Sequence, residues 1–233
     1  MAAFRIVEVL YPRMTQLDFT GPHTVMSRIP DTETIVASEA GGTIPSDGGL
    51  LFAGTKRMAE IDRCDLLFFP GGFGATEVIN DRAFMAEAGR LAKTARYLTS
   101  VCTGSLILGA LGVLKGRRAA CHWAWRDMLA LFGAIPDAGR VVRDGDIITG
   151  GGVTAGIDFG LVIAAELGGV ELAQRLQLAI EYAPAPPFNA GRPETAPPEV
   201  LAAVQAQMAK LLPERLAQAK AAAARMISTV PNT

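Results

Sequence analysis

Short blocks of apolar and β-branched residues alternate along this chain with longer stretches in which apolar residues recur at helical spacing. FRIVEVL (4–10) predicts a buried strand, and ETIVAS (33–38) and LLFA (50–53) predict shorter ones. DLLFFPGG (65–72) opens on an acid, runs through four apolar residues and stops at Pro-Gly-Gly, which suits a central parallel strand ending at a functional edge. Asp81 is placed to cap a helix through RAFMAEAGRLAKTA (82–95). YLTSV (97–101) predicts a strand, and TGSLILGALGVL (103–114) a mostly buried helix closed by Lys115-Gly116. RVVRDGDIIT (140–149) predicts a β-hairpin turning at Asp144-Gly145 in a type I′ turn. TAGIDFGLVIAAELGG (154–169) is a further helix that ends at Gly168-Gly169.

Alternation of strand and helix predicts an α/β fold with a mostly parallel central sheet covered on both faces, in one domain over residues 1–233. The Pro-rich segment 182–198 crosses between elements. Beyond it, PEVLAAVQAQMAKLL (198–212) and PERLAQAKAAAARMI (213–227) each open on proline, a first-turn residue. They predict two C-terminal helices packed on the domain or on a dimer partner. There is no internal repeat.

Composition narrows the function classes. Half of the 233 residues are hydrophobic and 19% are charged, enough apolar material for a large core and too much for a disordered chain. Lys and Arg number 22 against 23 Asp and Glu, and the longest basic run is Arg117–Arg118, so no nucleic-acid footprint is expected. No apolar run reaches the roughly 18 residues of a membrane span. The start MAAFRIVEVLYPR passes straight into a strand pattern, without a signal-peptide layout. Cys64, Cys102 and Cys121 lack metal-type spacing, and only His23 and His122 could join them. Free thiols, a cytoplasmic location and no metal site are therefore expected.

The chemistry concentrates at Cys102, where a strand gives way to a helix. In a doubly wound sheet that junction lies on the ligand-binding edge. A residue in such a turn is pushed into view, as in nucleophile elbows. Ionising most of a thiol at pH 7 takes about 2 kcal/mol, whereas a helix N-terminus supplies roughly 0.3–1, rising to about 2 in a sheltered site. A hydrogen-bond donor to the sulfur is needed as well. The bland alternative is a small core residue. PGGFG (70–74) can aim the N–H groups of Gly71 and Gly72 at that edge, as an oxyanion hole or as an ordinary tight turn. In TQLDFTGP (15–22), Asp18 sits on a short loop whose next turn is set by Gly21-Pro22. Protonated beside Cys102, it would donate to the sulfur; ionised, it would oppose a thiolate. Alternatively it caps a helix. His122 or His23 could form a Cys–His pair, though either can equally be structural. Cys64 and Cys121 read as packing residues, and Trp123 and Trp125 as core or interface aromatics.

Taken in order, LDFTGP (17–22), DLLFFPGGFG (65–74), SVCTGSLILGALGVLKGRRAACHWAW (100–125) and GGGVTAGIDFGL (150–161) make this chain resemble the ThiJ/PfpI superfamily, which shares its fold with class I glutamine amidotransferases. The resemblance spans residues 4 to about 190 and implies a flavodoxin-like three-layer sandwich. Two groups carry the SVCTG…GRRA…HW signature: the isocyanide hydratases, and the ligand domains of arabinose-regulator-type transcription factors. The latter continue for roughly a hundred residues with two helix-turn-helix motifs, for which a chain ending at Thr233 has no room. Thr103 stands where protease and deglycase branches carry histidine. Asp18 stands where they carry glutamate, as in the hydratases.

The implied reaction adds water to an isocyanide, R–NC, to give the N-substituted formamide. Cys102, as thiolate, attacks the terminal carbon while Asp18 delivers a proton to it. Asp18 then activates water against the thioimidate, and the thiol is expelled. Thr103 would hold Asp18 or the water by its hydroxyl, while its N–H and that of Gly72 face the developing charge. Gly72, Phe73, Val153 and Ile157 would line a small apolar pocket. The implied partners are a small-molecule isocyanide and water, with no cofactor, no nucleic acid and no membrane, in a homodimer. Two other readings share these motifs. One is a non-catalytic small-molecule or oxidative-stress sensor, since a reactive thiol is also oxidisable. The other is a cofactor-free enzyme on reactive carbonyls, against which Thr103 and Asp18 weigh.

Overall fold

The computed structural model describes residues 3–228. In chain order the elements are β1 (Phe4–Leu10), α1 (Gln16–Met26), β2 (Thr32–Ser38), β3 (Gly42–Pro45), β4 (Leu51–Arg57), β5 (Leu66–Phe69), α2 (Ala75–Val78), α3 (Arg82–Ala92), β6 (Tyr97–Val101), α4 (Ser105–Ala110), β7 (Arg118–Ala120), β8 (Ile135–Asp137), β9 (Val141–Asp144), β10 (Ile147–Gly150), α5 (Ala155–Gly168), α6 (Val170–Ala179) and α7 (Pro198–Ser228).

An eight-stranded sheet in the order β3-β4-β2-β1-β5-β6-β10-β9 forms the middle layer. The pairs from β4 to β10 are parallel, and antiparallel β3 and β9 close the two edges. Side chains alternate across it. Val7, Val9, Leu67 and Phe69 face the layer of α2, α3, α4 and α7, while Ile6, Leu66 and Phe68 face the layer of α1, α5 and α6. Both faces are covered, so β5 and β6 are buried from end to end. This is the expected three-layer α/β sandwich.

Strand order reverses between β1 and β5, the switch point at which such sheets place their ligands. The turns that follow β1, β5, β6 and β10 therefore converge on one edge.

Four local expectations are corrected. Asp18 and Gly21-Pro22 lie inside α1 rather than on a loop and turn. Proline costs that helix one hydrogen bond, but packing holds it: a Cβ on Gly156 would fall 2.8 Å from Pro22 Cδ, and one on Gly160 3.0 Å from Val25 Cβ, so α1 and α5 approach closely. The segment 103–114 is shorter as a helix, since Cys102–Gly104 form a 3₁₀ turn and α4 ends at Ala110. The hairpin turns one residue later, with Asp144 paired to Ile147. Only Gly145 of its two central residues has positive φ (66°), the mark of a type II′ turn rather than I′.

The fourth concerns the C-terminus. The two predicted helices are one, α7, which runs through Pro213. Proline removes the bond to the carbonyl of residue 209, a break worth roughly 3 kcal/mol in isolation. Docking of the following turns, where Arg215, Ala219, Ala222 and Ala223 are all buried, outweighs it. α7 is thus packed on this domain. The pattern assigned no element to α6, whereas the cap expected at Asp81 is present, its carboxylate accepting the Ala83 and Phe84 N–H groups at 2.8 and 3.2 Å.

Candidate active site

Cys102 begins the 3₁₀ turn directly after β6, with φ +53°. That left-handed conformation is unfavourable for a side chain with a Cβ, and strain of this kind clusters where function holds it in place. The Cys102 N–H donates to the Gly151 carbonyl at 2.7 Å, tying the turn to the loop after β10. The residue is 5% exposed, and that surface faces a cavity of about 160 Å³. Thr15, Gly72, Phe73, Thr103, His122, Trp125, Val153, Met208 and Arg215 complete its walls.

Asp18, in the first turn of α1, is fully buried beside Cys102. Its Oδ2 accepts the Gly71 N–H at 3.0 Å, and its Oδ1 is buried without a hydrogen-bond partner. Burial raises the Asp18 pKa to about 8, against smaller opposing contributions from the Cys102 and Gly71 hydrogen bonds. Asp18 is a protonated acid at neutral pH.

The surroundings of Cys102 work against the expected thiolate. Burial, and then the neighbouring Asp18 charge, push the Cys102 thiol well above its ordinary value, although the Thr103 N–H opposes them. The helix beyond it has only six residues, and its dipole is too small to offset loss of solvent.

Thr103 and Gly72 are bonded to each other. Thr103 Oγ1 is spent on the backbone of Gly72, whose N–H it accepts and whose carbonyl it donates to. Its one proton is thereby committed to the backbone, and one lone pair remains. With the Gly72 N–H bound to Thr103 and the Gly71 N–H bound to Asp18, the PGG turn has no donor left for an oxyanion. It is a spacer: a Cβ on Gly71 would lie 2.6 Å from Asp18 Oδ2, Cys102 Cβ and Thr103 N alike.

Of the predicted lining, Gly72, Phe73 and Val153 are on the cavity wall. Ile157 is not; its Cγ1 packs toward Gly21, between α1 and α5. No Cys–His pair forms. His122 lines the cavity, but its Nδ1 accepts the Ala124 N–H at 3.2 Å, and burial lowers its pKa, keeping it neutral. His23 bonds buried Glu8 at 2.6 Å. Cys64, Cys102 and Cys121 are all free and buried.

Thr15, Met208 and Arg215 were missed. Arg215 is 5% exposed, its Nη1 donates to the Phe73 carbonyl at 3.1 Å, and its guanidinium lies 4.5 Å from the Trp125 ring centre. No sequence signal announces it, because only the docking of α7 brings it to the sheet edge.

A model of the DJ-1/PfpI family matches residues 5–166. Isonitrile hydratase of Pseudomonas putida is 44% identical over 224 residues, 96% of this chain and 98% of that protein. The crystal structure of a ThiJ/PfpI family protein from Pseudomonas syringae superposes with TM-score 0.89 at 42% identity, covering 96% of this chain and 91% of that one. Drosophila melanogaster DJ-1beta shares the fold, with TM-score 0.69 at 21% identity over 78% of this chain and all of that one.

Proposed function

The chain belongs to the DJ-1/PfpI family, and from that premise we propose that it is an isocyanide hydratase, converting R–NC and water to R–NH–CHO. The observation that carries this reading is a buried, protonated Asp18 set against the strained Cys102 at the wall of a small cavity. The near-full-length likeness to an isonitrile hydratase supports it.

The terminal carbon of an isocyanide accepts a proton and then a nucleophile. Asp18 delivers its proton to that carbon, the Cys102 sulfur adds to it, and the thiol proton passes to the Asp18 carboxylate. A thioimidate, R–N=CH–S–Cys, results with the acid restored. Asp18 next takes a proton from water as the water oxygen bonds the carbon, while its own proton goes to the imine nitrogen. The C–S bond then breaks, the sulfur regains its proton from the new hydroxyl by way of Asp18, and the formamide leaves. Neither step needs a free thiolate at rest, which suits a thiol whose pKa is raised by burial. Gly72, Phe73 and Val153 would hold the hydrocarbon tail, with Thr103 clamping the turn that carries Gly72.

In this reading the protein works in the cytoplasm as a homodimer. Supporting it are three free thiols and the exposed neighbours Leu50 (54%) and Leu51 (69%) at the β3–β4 turn. Among the described residues no helix is long and apolar enough to cross a membrane.

The test is incubation with phenyl isocyanide and detection of formanilide. Wild type turns over and Cys102→Ala does not; absence of turnover by wild type would leave a sensing role ahead. Consumption of methylglyoxal, measured in parallel, would instead favour carbonyl chemistry.

A further inference from the structure

Hydration creates an oxygen acceptor at a position where the substrate has none. An isocyanide presents a carbon and a hydrocarbon tail, whereas the adduct and the formamide carry an oxygen. A protein donor serving that oxygen has nothing comparable to bind in the free enzyme, so it contributes to the later steps without tightening substrate binding. Such a donor would be buried on the cavity wall and unpartnered.

Arg215 fits this description. Its Nε is buried without a hydrogen-bond partner, in a residue that lines the same cavity as Cys102. The guanidinium is fixed at three points: the bond from Nη1 to the Phe73 carbonyl, the Trp125 ring at 4.5 Å and the Phe73 ring at 5.5 Å. A guanidinium held this way is already placed at the cavity, and a shift of the side chain brings the covered Nε–H to the acceptor when it arrives. The competing groups are committed elsewhere. The Gly71 N–H serves Asp18, the Gly72 N–H and the Thr103 hydroxyl serve each other, and the Thr103 N–H faces the sulfur. Arginine also stays charged throughout, so it can hold an oxygen without exchanging a proton with it.

We infer that Arg215 is a further catalytic residue of the hydration, its Nε–H donating to the oxygen that enters as water and leaves as the formamide carbonyl. Arg215 gives up no proton; it holds the oxygen while the C–O bond forms and the C–S bond breaks. This inference rests on the hydratase reading.

The test compares wild type, Arg215→Met and Arg215→Lys in the full chain, with phenyl isocyanide as substrate and formanilide as product inhibitor. Arg215→Met lowers kcat about 10²-fold, the loss typical of one such donor. KM for phenyl isocyanide moves less than about threefold, since the substrate has no oxygen to lose. The inhibition constant of formanilide rises about tenfold, as expected for a lost charge-assisted hydrogen bond. Arg215→Lys keeps a cation against Trp125 and falls between the two in kcat, and it carries the same three measurements if Arg215→Met does not fold. A kcat within threefold of wild type, or a loss confined to KM with formanilide inhibition unchanged, would overturn the assignment while leaving the hydratase reading intact. A wild type that leaves phenyl isocyanide unchanged would overturn both.

Discussion

Thr103 Oγ1 accepts the Gly72 N–H and donates to the Gly72 carbonyl, both at 2.9 Å, so one buried hydroxyl satisfies both backbone groups of a single residue. This closes the turn after β5 onto the turn after β6, and so fixes the distance between the cavity wall and Cys102. Thr103→Val keeps the shape and removes both bonds. Each buried group left unpaired costs roughly 1–3 kcal/mol. We expect a lower unfolding midpoint in urea and a fall in turnover for Thr103→Val, with Thr103→Ser close to wild type in both. A stable, fully active Thr103→Val would show that the clamp is dispensable.

In the proposed reaction Asp18 acts as an acid only while protonated. Its pKa of about 8 predicts that kcat/KM is level at neutral pH and falls tenfold per unit above about 8. Asp18→Asn keeps an acceptor for the Gly71 N–H but has no proton to deliver, so turnover is lost while Cys102 still reacts with iodoacetamide. Full activity in Asp18→Asn would remove the acid–base role.

The same shift has a consequence for stability. A carboxyl with a folded pKa of about 8 against an ordinary 3.8 binds more protons folded than unfolded between those values. The stability it contributes is fully present below about 4 and lost as pH rises toward about 8. Relative to wild type, Asp18→Asn should therefore gain stability as the pH goes from 4 to 8, measured by urea denaturation at both ends. A pH-independent difference would contradict the raised value.

Gly71→Ala tests the spacing. The added Cβ would meet Asp18 Oδ2, Cys102 Cβ and Thr103 N, all at 2.6 Å, two of them parts of the proposed reacting pair. We expect turnover to fall by about 10²-fold or more, because displacements near 1 Å carry that cost. Gly191→Ala, where nothing lies within 4 Å, serves as the control and should leave turnover unchanged.

Glu8 is fully buried with one oxygen unpartnered and the other bonded to His23. Its hydrogen bond to Glu8 raises the His23 pKa, and burial raises that of Glu8. The His23 contribution is present below its ordinary 6.5 and fades as pH rises through the raised value. His23→Ala leaves the Glu8 carboxylate without its partner. A loss of about 1–3 kcal/mol is expected at pH 7, below that for a fully buried pair because His23 is partly exposed. The loss should shrink toward pH 4, where Glu8 is protonated. Equal losses at both values, read from thermal melts, would show that the pair carries no charge.

The positions of β1, β2, β5, β6, β9 and β10 and the Cys102 junction were legible because their signals are local, whereas the short β3 and β8 carry no such signal. An apolar block stopped by Pro70-Gly71-Gly72 can hardly continue as a strand, and Asp81 three residues before Phe84 is a cap wherever it sits. Helix α1 was not legible, since Gly21-Pro22 reads as a turn until Gly156 and Gly160 are seen packed against it. Pro213 likewise reads as a boundary until the buried face beyond it is known.

By itself the sequence determined the layered α/β plan, the cysteine at the end of its strand and the acid that would meet it, because periodicity, punctuation and motif order are properties of neighbouring residues. Only the tertiary structure decided which hydrogen-bonding groups remain free at that edge. It engaged both glycine N–H groups, raised the Cys102 pKa by burial, turned Ile157 away and brought Arg215 in from the last helix. Burial and hydrogen-bond partners arise from contacts between segments far apart in the chain, and burial sets these ionisation states.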